Sequence, residues 1–182
     1  MPYRLDKGYC CIDIRLHTWR AFFDQRDPSP FRERDLDDDA VAYIVNSYLE
    51  IGKKELSKLV IHVGESREQS MPPELFAESV HTFFGNEQEL VRGRLRQMLR
   101  RARTAMVVGL VFLTGCILLA HWIAGKSFGE PGDVVREGLV IFGWVAMWRP
   151  IDLLLYEWWP LVDNLDVYGR LAQIPVEVLY NS

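Results

Sequence analysis

Apolar and polar positions alternate along Tyr9 to His17. Ile12, Ile14 and Leu16 fall on one side, and Cys11, Asp13, Arg15 and His17 on the other, which predicts a half-buried strand. A charged loop follows, RDPSPFRERDLDDD from Arg26, in which Pro28 and Pro30 disfavour helix. Its end predicts a helix start. Asp37, Asp38 and Asp39 offer carboxylates to free amides, and Val41, Ile44, Val45, Tyr48 and Leu49 recur at helical spacing until Gly52 closes the element. Lys58 to Gly64 (KLVIHVG) is nearly continuous in apolar residues, as an inner strand is. Strand, helix, strand predicts a parallel pair.

Pro72 and Pro73 open a third element, in which Leu75, Phe76, Val80, Phe83, Phe84, Leu90, Val91, Leu95, Met98 and Leu99 keep helical spacing. Gly85-Asn86 is the expected break. A helix from about residue 87 through Arg103 then runs into Thr104 to Gly125, 22 residues without a formal charge. At about 1.5 Å per residue this is about 33 Å of helix, enough to cross a hydrocarbon core of about 30 Å.

A second apolar stretch, GLVIFGWVAMW from Gly138, stops at Arg149-Pro150 after 11 residues, too few to cross. Continued through Ile151 to Trp159 it matches the first, with Pro160 ending it and Lys126 to Glu137 (Gly129, Pro131, Gly132) as the exposed turn of a hairpin. The competing arrangement is a helix resting on the cytoplasmic leaflet. In either, Trp144, Trp148, Tyr156, Trp158 and Trp159 are interface anchors. After Pro160 come a short amphipathic piece (Leu161, Leu165, Tyr168, Leu171) and a final strand, Val176 to Tyr180, available to join the N-terminal sheet.

Charge assigns the sides. The chain has 182 residues, with 21 Lys+Arg against 25 Asp+Glu and a net charge of -4. Residues 92–103 carry Arg92, Arg94, Arg96, Arg100, Arg101 and Arg103 and no acid, whereas the far side of the first span offers Lys126 and Arg136. Positive charge stays inside, so both termini are expected in the cytoplasm. The belt is a topology determinant and a ligand for anionic lipid headgroups. The acidic remainder argues against nucleic-acid binding. No apolar stretch follows the N-terminal residues, so no cleavable signal peptide is expected.

Candidate chemistry is sparse. The three cysteines, Cys10, Cys11 and Cys116, have neither disulfide nor metal-ligand spacing. The Asp35 to Asp39 cluster lacks the glycine and terminal glutamate of a calcium loop, and a capped helix accounts for it better. His62 is expected in the core or facing a helix, and no phosphate loop or nucleophile motif is present. The odd place is Arg149-Pro150-Ile151-Asp152. Counted from Gly138, Arg149 lies near the membrane midplane, about 15 Å from the inner surface. Asp152 stands at i+3 to bridge it, and Pro150 frees the Ala146 carbonyl. With Glu157 these residues read as a polar clamp that locks the hairpin or binds a partner helix. The rival reading is a polar path through Arg149, Asp152, Glu157, His121 and Thr114. No second-span histidine pairs with His121 for a b-type haem.

At Gly143 to Pro160 (GWVAMWRPIDLLLYEWWP), and at DPSPF followed by DLDDDAVAYIV, the chain resembles a family of small bacterial two-helix membrane proteins of unassigned function, over most of its length. The resemblance implies a cytoplasmic α/β segment, a membrane hairpin, a bacterial plasma membrane, and Arg149, Pro150, Tyr156 and Trp158 to Pro160 as recurring features. It transfers no activity.

The expected fold class is thus α+β: a small cytoplasmic α/β domain of two or three strands on a βαβ unit (1–91), a basic juxtamembrane helix (92–103), a transmembrane hairpin (104–160, spans 104–125 and 138–159) and a cytoplasmic tail with a terminal strand (161–182). The expected function is a non-enzymatic inner-membrane docking, scaffold or assembly component that meets lipids and a protein partner or its own copies. No metal, cofactor or small-molecule substrate is identified. The alternative is a small oligomeric ion or proton channel, or transporter accessory, using Arg149 and Asp152. A lipid-tethered enzyme domain ranks third.

Overall fold

The computed structural model describes residues 3–25, 27–28, 34–52, 55–65, 70–126 and 129–180. The chain is mixed α+β, a four-stranded sheet with long helices, and divides into two compact units, residues 1–90 with 164–182, and residues 91–163.

In the first unit the order along the chain is β1 (Arg4–Asp6), β2 (Tyr9–Leu16), a 3-10 turn (Trp19–Phe22), α1 (Asp38–Ile51), β3 (Ser57–Val63), the start of α2 (Pro73–Ala124), the end of α4 (Trp159–Leu171) and β4 (Val176–Tyr180). Across the sheet the order is β1-β2-β3-β4, with β1 antiparallel to β2 and the other pairs parallel. β1 was not foreseen. It is three residues long and joins β2 through Lys7 and Gly8, both at positive φ (49° and 87°), the two-residue turn that matches strand twist. The sheet therefore has four strands, not two or three.

Each strand has an inner and an outer face. Inward, Cys10, Ile12 and Ile14 stand beside Leu59, Ile61 and Val63, and under Ile44, Tyr48 and Ile51 of α1, Phe76, Val80 and Phe84 of α2, and Val167 and Leu171 of α4. Phe22 and Phe23 fill the space beside Phe76, with ring centroids 5.6 to 6.2 Å apart. Each such buried side chain contributes about 1.5–3 kcal/mol. Asp37 Oδ2 accepts from the Asp39 and Ala40 amides and so caps α1, while Gly52 at φ 98° ends it. Of the proline-rich loop before α1, Arg26 and residues 29–33, including Pro30, lie outside the described residues.

The outer face is a charged lattice. Lys58 bridges Asp6 (2.7 Å) and Glu177 (2.5 Å), and Asp13 Oδ1 takes both His62 Nε2 (2.8 Å) and Arg4 (3.4 Å). Beneath these side chains Cys11 and Val60 are buried. His62 thus belongs to the open face, away from the helices, contrary to expectation. Period two decides it: Ile61 takes the core position and its neighbour must point outward.

Two further expectations fail. α2 runs unbroken through Gly85-Asn86 for 52 residues, because a glycine at ordinary helical φ costs only about 1 kcal/mol, which flanking apolar contacts offset. Pro160 does not end a helix but stands in the first turn of α4, where its missing N–H is no loss.

β3 and β4 are neighbours, yet the chain between them includes α2, α3 (Gly129–Leu155) and α4. α2 and α4 meet where they leave the sheet unit: Phe84 stacks on Tyr168 and Gln88 Nε2 donates to the Leu165 carbonyl at 3.3 Å. Residues 91–163 are therefore an insertion whose two ends lie together. Replacing them with a flexible linker of about six residues, long enough to join adjacent helix ends, is expected to leave a detergent-free α/β domain with one cooperative urea transition. A molten product in circular dichroism and urea titration contradicts this.

The lattice has a pH signature. The hydrogen bond from Lys58 holds the Asp6 carboxyl below its ordinary 3.8, and the two carboxylates raise Lys58 in turn. A depressed carboxyl stabilises the fold above its ordinary pKa, and that contribution is lost as pH falls through the lowered value. In Lys58→Met, Asp6 is expected to titrate near 3.8, read by carboxyl NMR.

Candidate functional site

The second unit is a helical hairpin, whose register follows from two glycines. A Cβ on Gly109 of α2 would meet Met147 Sδ at 3.0 Å and Pro150 Cγ at 3.3 Å, and one on Gly143 of α3 would meet Leu113 Cδ1 at 2.8 Å and Cys116 Cβ at 3.3 Å. The helices thus approach closely at both points, as small residues permit. At the far end Ile117, Ala120, His121 and Ala124 face Arg136, Glu137, Val140 and Ile141 across a cavity of about 560 Å³.

This register places Arg149. It lies level with Gly109, six residues or about 9 Å of helix from Arg103. α3 begins at Gly129, earlier than the Gly138 from which the second span was counted; Glu130, Pro131, Gly132 and Asp133, expected in the connecting turn, are helical. Between the Gly109 and Ala120 levels the hairpin is free of charge on both helices for about 17 Å. The arginines at its limits lean away from that band: Arg149 toward Asp152 and Glu157, Arg136 toward Asp133. Each thereby lengthens the apolar band by the reach of its side chain.

Arg149 Nη1 lies 3.2 Å from Asp152 Oδ2 and 2.8 Å from Glu157 Oε1, so one guanidinium gathers both carboxylates. Glu157 reaches it because α3 stops at Leu155 and the chain turns through Tyr156–Trp158, short of the Trp159 end expected for this helix. Pro150 sits within α3, against Gly109. Trp158 Nε1 donates to the Leu154 carbonyl at 2.9 Å and its ring lies 5.6 Å from Trp159. Trp144, Trp148, Tyr156 and Trp159 are exposed on the unit's surface. Arg149 is itself two-thirds exposed, so the cluster faces outward and not into the α2–α3 seam.

Arg92, Arg94, Arg96, Arg100, Arg101 and Arg103 occupy four turns of α2, and Thr104 Oγ1 donates to the Arg100 carbonyl. The groups suggested for a polar path are not brought together. Thr114 donates to Leu110 of its own helix at 2.7 Å, and His121 is twelve residues, about 18 Å, beyond the Gly109 level.

In the first unit a cavity of about 540 Å³ lies among Tyr3, Leu5, Gly8, Cys10, Ile51, Glu55 and Leu56. The Cys10 thiol donates to Glu55 at 3.0 Å, which raises its pKa and makes it a poor nucleophile. Among the described residues, no three His, Cys, Asp or Glu side chains converge on a common point. The Asp13–His62 pair was missed by sequence reasoning; its signal was the strand alternation itself, which puts both residues on one face once the strands are paired.

No protein-family model, curated protein or solved structure matches this chain.

The glycine contacts are testable. Gly143→Val must push against the Cys116 Cβ and the Leu113 backbone and is expected to cost about 1–3 kcal/mol. Gly115→Val, with open space around it, is expected to change stability only by the small difference in helix propensity, which favours valine. Thermal unfolding of the detergent-solubilised pair of variants reads the difference.

Proposed function

We propose that the chain is a non-enzymatic membrane protein of docking or assembly type, held in a bacterial inner membrane by the α2–α3 hairpin, with its sheet unit and both termini in the cytoplasm. Two helical stretches, within Pro73–Ala124 and Glu130–Leu171, are long and apolar enough to cross a membrane, and only 17% of the most apolar window of each is buried. A core helix of a water-soluble protein hides most of such a window.

The observation that carries the reading is the parallel pairing of β3 with β4. The sheet unit lies before and after the hairpin, so a chain that enters the bilayer along α2 must return along α3 before Val176 can pair with Leu59. The pairing supports an even number of crossings. The arginine belt then selects the cytoplasmic side. Arg149, Asp152 and Glu157 lie at that same end of the hairpin, where headgroups and water solvate an exposed ion cluster, and Trp158 and Trp159 beside them suit the interface. The belt meets anionic lipid, and the exposed cluster supports docking of a protein partner or a second copy rather than a conduction path.

A reporter fused after Ser182 and a second at the N-terminus are expected to be active only as cytoplasmic probes; a periplasmic signal at either end excludes the arrangement. Proteoliposomes containing the chain are expected to show no ion flux above empty vesicles. Flux abolished by Asp152→Asn would instead establish the channel reading.

A further inference from the structure

β2, β3 and β4 are parallel, and their carboxyl ends lie together at one edge of the sheet. There β2 is followed by the 3-10 turn and β3 by the loop to α2, and the strand ends frame an open edge. A cavity of about 330 Å³ is present at this edge, lined by Arg15, Leu16, His62, Val63, Gly64, Leu179 and Tyr180. Its volume is at the lower end of small-molecule pockets, about 300–1,000 Å³.

The walls are fixed. Gly64 donates to the Leu16 carbonyl at 2.8 Å and lies so close to His17 that a Cβ would stand 3.0 Å from its carbonyl oxygen. Tyr180 is tied through its hydroxyl to the Met71 carbonyl at 2.6 Å. His62 is oriented by Asp13 through Nε2, which leaves Nδ1 as the uncommitted ring nitrogen. The Arg15 side chain, in register with His62, forms no ion pair or hydrogen bond among the described residues and is exposed.

The nearby carboxylates among the described residues are already engaged. Asp13 holds His62 and Arg4, and Glu65 accepts from the Trp19 amide at 3.3 Å. Among the described residues, a guanidinium without a carboxylate partner thus lines a preformed cavity in a chain whose net charge is -4. Leu179, partly exposed beside it in the same cross-strand row, and Val63 supply an apolar wall.

We infer that this cavity binds a small organic oxyanion, a phosphate or carboxylate carrying an apolar body, with Arg15 as its charge partner and His62 as its second polar contact. A guanidinium fork donates to two oxygens of such a group at once. The inference uses only the sheet unit and does not depend on the membrane reading.

The test is an NMR titration of the full chain in uncharged detergent with inorganic phosphate and with phenyl phosphate, following the His62 imidazole and Arg15 Nε resonances. Saturable shifts are expected, with phenyl phosphate saturating at lower concentration because its ring meets Leu179. Arg15→Gln is expected to raise the dissociation constant by about tenfold, the loss of one charge-assisted contact. Arg15→Lys falls between, and Lys126→Gln, in the other unit, changes nothing. Phosphatidylglycerol and soluble glycerol phosphate then compete against the bound probe: displacement by the first assigns the site to a lipid headgroup, by the second to a free metabolite. Shifts that never saturate, or that saturate identically in Arg15→Gln, overturn the inference.

Discussion

The pairing of β3 with β4 is the constraint on which the rest depends. Leu59 N donates to the Pro175 carbonyl at 2.9 Å, and Lys58 reaches Glu177 across 119 residues of chain. Once these bonds exist, α2 must leave the sheet unit and α4 must come back to it, and everything between is a closed excursion. The Gln88–Leu165 contact holds the neck of that excursion. Helix length, glycine contacts and surface tryptophans describe what the excursion is made of. The strand pair determines where it ends.

The sheet's two faces have different physics. The inner face is paid for by area: fully buried phenylalanines at 22 and 76, with Ile12, Leu59 and Ile61, exclude water under three helices. The outer face, among the described residues, carries the ion pairs of Lys58 and Asp13 rather than the core side chains of the helices. Surface ion pairs contribute little each, about 0–1 kcal/mol, so the lattice serves less to stabilise than to leave polar groups oriented and available. The hairpin has a comparable division, with Gly109 and Gly143 at the seam and aromatic rings outside.

Much of this was legible in the sequence, and what was not has identifiable causes. The two main strands, the Asp-capped helix and the terminal strand announce themselves because period and capping are local properties. β1 escaped because three residues carry no period. The helix at Gly85-Asn86 was misread because a weak local breaker was weighed without the packing on either side. Which level of α2 Arg149 stands at was not legible because that belongs to the pair of helices, and only the contacts at Gly109 and Gly143 establish where α3 stands against α2. The ion trio itself was partly visible as an i, i+3 spacing, but Glu157 joins through a turn that no periodicity encodes. Asp13 and His62 stand 49 residues apart, and only strand register makes them neighbours.

The late arrival of β4 also has a consequence for biosynthesis. A ribosome releases β1, β2 and β3 long before it completes Val176–Tyr180, so the growing sheet waits with one side of β3 unpaired while the whole excursion is made. Contacts this distant in sequence are slow to close. Completion of the sheet therefore comes after every intervening helix has been made, and until then one edge of β3 stays unpaired.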